Sequence, residues 1–375
     1  MKYQPLKDIA QIVMGQSPDS NSYNDLGDGL PFFQGNADFG ELYPSERIWC
    51  NEPKKIANPN DILISVRAPI GALNYANKRC CIGRGLAAIT VTNPAERNYI
   101  FYLLKSKNAE LNRQGTGSTF KAIGKNVLEE IAVPIVSLET QLYIKNLMNI
   151  TEKILAKRKR ELKYFDDIIK ARFVELFGDP VTNPKNWEKR NLSDLAEIKI
   201  GPFGSLLHKE DYITGGHALV NPSHIINGKI VIDNNLTITD DKYNDLSAYQ
   251  LRIGDVVMGR RGEMGRCAVV GQQGLLCGTG SLLIRSYGEL SADYLQKIIS
   301  FPSFKRTIEN MSVGQTMPNL NVPIVSAFQI IKPPKSVQED YYSFVTQIDK
   351  SKVAVQKSLE KTQLLFDSLM QQYFG

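Results

Sequence analysis

One ordered set of motifs occurs twice in this chain, and that duplication limits its possible folds more than any other feature. Leu6-Lys7-Asp8-Ile9-Ala10-Gln11-Ile12 with Gly15 returns as Leu192-Ser193-Asp194-Leu195-Ala196-Glu197-Ile198 with Gly201. Asp61-Ile62-Leu63-Ile64-Ser65-Val66-Arg67, ending in Gly71, returns as Asp255-Val256-Val257-Met258-Gly259-Arg260-Arg261, ending in Gly265. Gly83-x-Gly85 before Leu86-Ala87-Ala88-Ile89 returns as Gly278-x-Gly280 before Ser281-Leu282-Leu283-Ile284. Gly117-Ser118-Thr119 returns as Gly314-Gln315-Thr316, and Phe177-Gly178 as Phe374-Gly375. The offset drifts from 186 through 194 and 195 to 197, as small loop insertions in two homologous halves would produce. A repeat of nearly half the chain is a duplicated domain, not a solenoid unit.

Each half predicts a mixed α/β (α+β) globular region followed by one long helix. Short β-rich runs such as Asp61 to Val66 and Leu86 to Val91 alternate with Gly, Pro and Asn, and a helical stretch spans Asn98 to Asn112. From Leu138 to Phe177 there is neither Gly nor Pro. A helix of that length spans roughly 60 Å. Gly178 supplies a left-handed stop and Asp179-Pro180 prevents continuation. The predicted segments are 1–137, a helix over 138–178, 179–335, and a second helix over 336–375.

In the second helix Phe344, Ile348, Ser351, Val355, Ser358, Thr362, Leu365 and Leu369 alternate in steps of three and four, the rhythm of a coiled-coil seam. The matching positions in the first are Leu147, Thr151, Ile154, Arg158, Glu161, Phe165, Ile168 and Arg172. That seam suits pairing with its twin more than with itself. Duplicated halves tend to pack about a pseudo-twofold axis. The expectation is therefore two antiparallel helices in a coiled-coil-like rod, a globular domain at each end, and chain termini close together. Packing of each helix on its own domain is the plainer alternative.

With 375 residues, 42% hydrophobic and 22% charged, the chain is expected to be folded and soluble. Its net charge of +6 tilts modestly toward an acidic partner such as nucleic acid. The polar start Met1-Lys2-Tyr3-Gln4-Pro5 predicts no signal peptide, and no apolar run approaches membrane-spanning length. Cys50, Cys80, Cys81, Cys267 and Cys277 lack metal-knuckle spacing and read as reduced core thiols of a cytoplasmic protein.

Catalytic chemistry is hard to find. The three histidines, His208, His217 and His224, lie in one half without metal-ligand spacing and read as loop residues. None of the Asn-Pro pairs continues into the motif that adenine-N6 methyltransferases use, and no phosphate loop occurs. The glycine pairs read as tight bends before buried strands. Asp61 and Asp255 could form a site in a paired-domain enzyme, yet neither has a nearby partner for acid-base work, so turns leading into strands are the simpler role. No catalytic or metal-binding residue is expected.

Binding chemistry collects instead in glycine-rich loops. Arg260, Arg261 and Arg266 place three guanidinium groups in one loop, the fork geometry suited to phosphate or guanine edges. The first half offers Arg67, Arg79 and Arg84. Ser118, Thr119 and Lys121 recur in kind as Gln315, Thr316 and Asn319, and Gln16 and Ser17 sit at the turn equivalent to Ser205. Recurrence at matching places favours nucleic-acid contact over solvated loops. Lys157-Arg158-Lys159-Arg160 reads as a solvated helix face or a partner surface.

With the repeat, the long helices and the loops in place, the chain is similar along essentially its whole length to the specificity subunits of type I DNA restriction-modification systems. The carriers are the starts at Leu6 and Leu192, the strand at Gly254 with its counterpart at Pro59, the Gly-x-Thr loops and the helices closing in Phe-Gly. The resemblance implies a non-catalytic scaffold with two target-recognition domains, each reading half of a bipartite site in double-stranded DNA, spaced by the helices. It implies two methyltransferase subunits docked on the helices and two restriction/translocase subunits. It implies no cofactor on this chain, with S-adenosylmethionine, ATP and Mg on the partners. Because the halves differ (Gln34-Gly35-Asn36 against Val220-Asn221-Pro222), the site is expected to be asymmetric. A subunit of a related methylation-only or defence system remains open, as does a stand-alone DNA-binding regulator, against which stands the lack of a helix-turn-helix pattern.

Overall fold

A computed structural model describes residues 2–116, 121–312 and 319–375. The chain divides into two compact units, Met1–Glu161 with Val355–Gly375, and Leu162–Ala354. The framework is the same in both. In the first unit a four-stranded antiparallel sheet runs in the order Ala10–Met14, Leu86–Val91, Ile62–Ser65, Leu73–Tyr75. The second has Ala196–Ile200, Ser281–Ser286, Val256–Gly259, Cys267–Val269 in the same order and sense. A ribbon pairs Tyr3–Pro5 with Ala132–Pro134 in one unit and Glu188–Asn191 with Gln329–Lys332 in the other. Each unit also has a parallel pair among the described residues, Leu30–Phe33 beside Cys80–Ile82 and His217–Val220 beside Leu275–Cys277.

The central strands lack polar alternation because both faces are covered. Successive strand residues point to opposite sides. Ile62, Ile64, Ala87 and Ile89 join the core beneath the helices, while Leu63, Leu86 and Ala88 join a second core with Phe33 and Ile82. Val256, Met258, Leu282 and Ile284 face one core of the second unit, and Val257 and Leu283 the other. All five cysteines are buried and free. Burial pushes the Cys80, Cys81, Cys267 and Cys277 thiols up to about 12. No helix among the described residues is long and apolar enough to cross a membrane.

The two Gly- and Pro-free segments form 40-residue helices, Leu138–Phe177 and Lys335–Phe374. Gly178 closes the first with φ +76, a conformation that favours glycine. Within the second unit the helices run antiparallel. Asp166 pairs with Lys352 at 2.5 Å and Phe177 meets Tyr341 at 5.4 Å, so eleven residues forward on one helix match eleven backward on the other. In the first unit Ile144, Met148 and Leu155 share a core with Phe366 and Phe374. Both chain ends lie in that unit, where Phe374 packs on Tyr99 at 5.2 Å.

The seam differs from the expected one by a single residue at alternate positions. Met148, Leu155 and Ile169 are buried, whereas Leu147 is half-buried and Ile154 and Ile168 are 39% and 44% exposed. On the second helix Phe366 is buried and Leu365 is 52% exposed. Phe165, Phe344, Ile348, Val355 and Leu369 are half-buried. The cause is a choice between adjacent apolar residues. Both phases keep a 3.5-residue period, and the side chains of the globular cores select the one they meet.

Candidate nucleic-acid interface

At one end of each four-stranded sheet, the same four backbone hydrogen bonds tie together three loops. In the first unit Gly83 N donates to Phe33 O (2.8 Å), Leu86 N to Gly83 O (3.0 Å), Val66 N to Gly85 O (2.9 Å), and Gly15 N to Leu86 O (2.8 Å). In the second, Gly278 N donates to Val220 O, Ser281 N to Gly278 O, Arg260 N to Gly280 O, and Gly201 N to Ser281 O, all at 3.0 Å. The glycines are needed because backbones touch here. A Cβ on Gly15 would lie 2.1 Å from Gly83 O, and one on Gly201 would lie 2.0 Å from Gly278 O. One added methyl at either place forces the loops apart. The bend before the buried strand is therefore also a junction of three loops.

A fourth segment closes the junction. Isolated bridges join Arg67 to Ala122 and Arg261 to Asn319, while Ala68 N donates to Lys121 O (3.1 Å) and Leu320 N to Arg260 O (2.9 Å). The turn after the parallel strand is capped in both units by residues at matching positions. Asp38 Oδ2 accepts from Gln34 N (2.7 Å) and Gly35 N (3.3 Å), and His224 Nδ1 stands 3.3 Å from Asn221 N and 2.8 Å from Leu219 O. His224, read from the sequence as a loop residue, is a buried cap. Its 186-residue offset from Asp38 was the signal available.

The junction gathers most of the expected contact residues of the first unit. Gln16, Arg67, Arg84 and Lys121 are exposed there, and Ser17 Oγ accepts from Arg84 N at 3.4 Å. Arg79 is not among them. Ile62 pairs with Tyr75 and Ala57 with Cys80, which puts the Lys78-Arg79 turn at the opposite end of the sheet, beside the Asp61 turn.

In the second unit Arg261 is exposed and Arg260 half-buried. Burial, then the neighbouring Arg261 charge, lowers the Arg260 pKa, and its Nε and Asn319 Oδ1 are buried without a hydrogen-bond partner among the described residues. Arg266 is committed elsewhere. It donates to Glu263 Oε2 (3.2 and 3.0 Å) and Pro222 O (3.1 Å), so its guanidinium holds the loop together. Glu263, also bonded by Lys305, has its carboxyl held below the usual range by Lys305 and Arg266. Ser118, Thr119, Gln315 and Thr316 lie outside the described residues, as does the Ser205 side chain. Sequence reasoning missed Thr279, which is exposed at the position equivalent to Arg84.

Asp61 and Asp255 are occupied inside their own units. Asp61 accepts from Asn58 N and Thr90 Oγ1, both at 2.7 Å. Asp255 accepts from Arg252 N (2.7 Å) and takes a bidentate bond from Arg285 at 2.9 and 2.7 Å. The carboxylates clamp the turns that lead into their strands.

The family model of the type I restriction modification DNA specificity domain matches residues 1–164 and 184–364. The putative type I restriction enzyme MjaX specificity subunit of Methanocaldococcus jannaschii is 46% identical over 163 residues, 43% of this chain, and the match spans only 35% of that relative's length. The MjaIX specificity subunit of the same organism is 22% identical over 399 residues, covering 97% of this chain and 90% of the relative. Among solved structures, the S subunit of a type I restriction-modification system from M. genitalium aligns over 100% of this chain and 96% of its own, with TM-score 0.56 and 16% identity, a likeness of fold.

Proposed function

Because the chain belongs to the family of type I restriction modification DNA specificity domains, we propose that its two halves each read one part of a bipartite, asymmetric DNA site. The observation that carries this is the repeated junction, with one backbone framework and different side chains on its rim. A constant framework presents the loops to DNA in the same way. Different rims give each half its own sequence. In this reading the chain is a recognition scaffold without catalysis of its own, on which two methyltransferase and two restriction/translocase subunits assemble. S-adenosylmethionine, ATP and Mg belong to those partners, and the complex works in the cytoplasm.

Methyl transfer to duplex DNA is expected to be absent for the purified chain and to appear once a type I modification subunit is added. Scintillation counting of tritiated methyl groups on DNA decides it, and turnover by the chain alone would overturn the scaffold reading.

The long helices set the distance between half-sites in this proposal. Removing one heptad from each, between Ile154 and Leu162 and between Ser351 and Leu359, keeps the seam's period and shortens each helix by about 10 Å. That equals about three base pairs of rise. The methylated sites are expected to keep both half-sites and lose spacer, as read by genome-wide mapping of methylated adenine. Altered half-sites around an unchanged spacer would show that the helices do not set the distance.

A further inference from the structure

The crest of the junction has one structure and two chemistries. Arg84 stands between Gly83 and Gly85, and Thr279 between Gly278 and Gly280; both side chains are exposed. The flanking glycines are pressed against their surroundings. A Cβ on Gly85 would lie 2.2 Å from Gln34 O, and one on Gly278 would lie 2.2 Å from Asn221 Oδ1. Each crest is held by the same four backbone bonds, so the two side chains leave equivalent pedestals. Beside them Arg67 and Arg261, also exposed, follow equivalent strands and join equivalent bridges. At one pair of matching positions the residue is the same in both halves. At the other it differs.

We propose that Arg84 and Thr279 are the specificity-determining residues at corresponding positions of the two half-sites, while Arg67 and Arg261 bind phosphate. This rests on the reading of the chain as a DNA specificity scaffold. If the halves read different sequences, a residue common to both suits what the half-sites share, the sugar-phosphate backbone, and a residue that differs suits what distinguishes them. The chemistry agrees. Arginine fits the O6 and N7 acceptors of guanine with a two-pronged bond, whereas the short threonine offers one hydroxyl and a methyl group that accept several bases. The first half-site therefore requires guanine under Arg84, and the second is more permissive at the matching position. Rigidity of the pedestal matters because a base contact needs a fixed donor direction. Glycines packed against backbone and side chain supply it.

The test uses the chain complexed with its modification subunit, a pool of random-sequence duplexes, and sequencing of the retained molecules. Arg84→Thr is expected to relax one position of one half-site and to weaken binding to the original site roughly 5- to 150-fold, leaving the other half-site intact. Thr279→Arg is expected to sharpen the matching position of the other half-site toward guanine. Arg84→Lys keeps the charge without the fork, so it should relax the base preference while the salt dependence of binding holds. Arg67→Ala and Arg261→Ala are expected to weaken all sequences alike and to lower the salt slope by about one. Unchanged preferences in both crest variants, with the wild-type complex still selecting a bipartite sequence, would overturn this assignment and leave the scaffold reading standing. A wild-type complex that selects no sequence would overturn both. A base preference altered by Arg67→Ala would overturn the division between phosphate and base contacts.

Discussion

Asp255→Ala is expected to destabilise the second unit by about 3–5 kcal/mol, the loss seen when one partner of a buried ion pair is removed. Asp255 is 2% exposed and takes two charged bonds from Arg285. Without it the guanidinium keeps Gln250 O at 3.1 Å and a longer approach to Glu197 at 3.6 Å. Arg285 remains 21% exposed, so water recovers part of its solvation and the loss should fall toward the lower limit. The matching Asp61→Ala removes only neutral partners, Asn58 N and the Thr90 hydroxyl, and should cost about 1–3 kcal/mol. Amide substitutions separate the two further. In Asp61→Asn the new NH2 can donate to Thr90, and little is lost. In Asp255→Asn it faces the donors of Arg285, and the variant should behave nearly as badly as Asp255→Ala. Hydrogen exchange of the strands Ile62–Ser65 and Val256–Gly259 reads each unit separately. Equal effects of Asp61→Asn and Asp255→Asn would show that the charged pair is not the source of the difference.

That contrast also marks how far the sequence could be read. The repeat exposed both aspartates, both glycine pairs and the long helices, because each obeys a local rule of spacing or backbone geometry. Their partners obey no such rule. Arg285 reaches Asp255 from a neighbouring strand, and Thr90 stands at the equivalent place with a different chemistry. The helix seam was legible in its period and not in its phase for a related reason. Leu147-Met148, Ile154-Leu155, Ile168-Ile169 and Leu365-Phe366 are adjacent apolar pairs, and period alone does not choose between two phases of one rhythm. The choice is made by groups outside the helices, such as the Lys105 ammonium that sits 5.4 Å over the Phe366 ring and also pairs with Glu152. Arg266 was partly legible. Glu263, three residues before it, was a carboxylate able to engage it within the loop. Arg79 was not legible, because only the strand register shows which end of the sheet its turn occupies.

Phe177→Ala is expected to cost about 3–5 kcal/mol and Phe374→Ala less, although the two residues occupy equivalent places at the ends of the long helices. Phe177 is fully buried among aromatic rings, with centroids of Tyr294 at 4.7 Å, Phe173 at 4.9 Å and Tyr341 at 5.4 Å. Such contacts add about 0.5–1.5 kcal/mol per pair beyond the area buried. Among the described residues Phe374 has one ring neighbour, Tyr99, at 5.2 Å, and Ile144 stands where the second unit has Tyr341. The Phe177 site is also held in place, since Pro184 packs on Gly178 at the helix end and the following segment leads into the strand Glu188–Asn191. A cavity that cannot collapse costs more. The two losses are readable by hydrogen exchange at Ala292–Ile299, which carries Tyr294, and at Arg97–Ser106, which carries Tyr99. A loss at Arg97–Ser106 in Phe374→Ala as large as that at Ala292–Ile299 in Phe177→Ala would mean that the aromatic cluster adds nothing beyond ordinary burial.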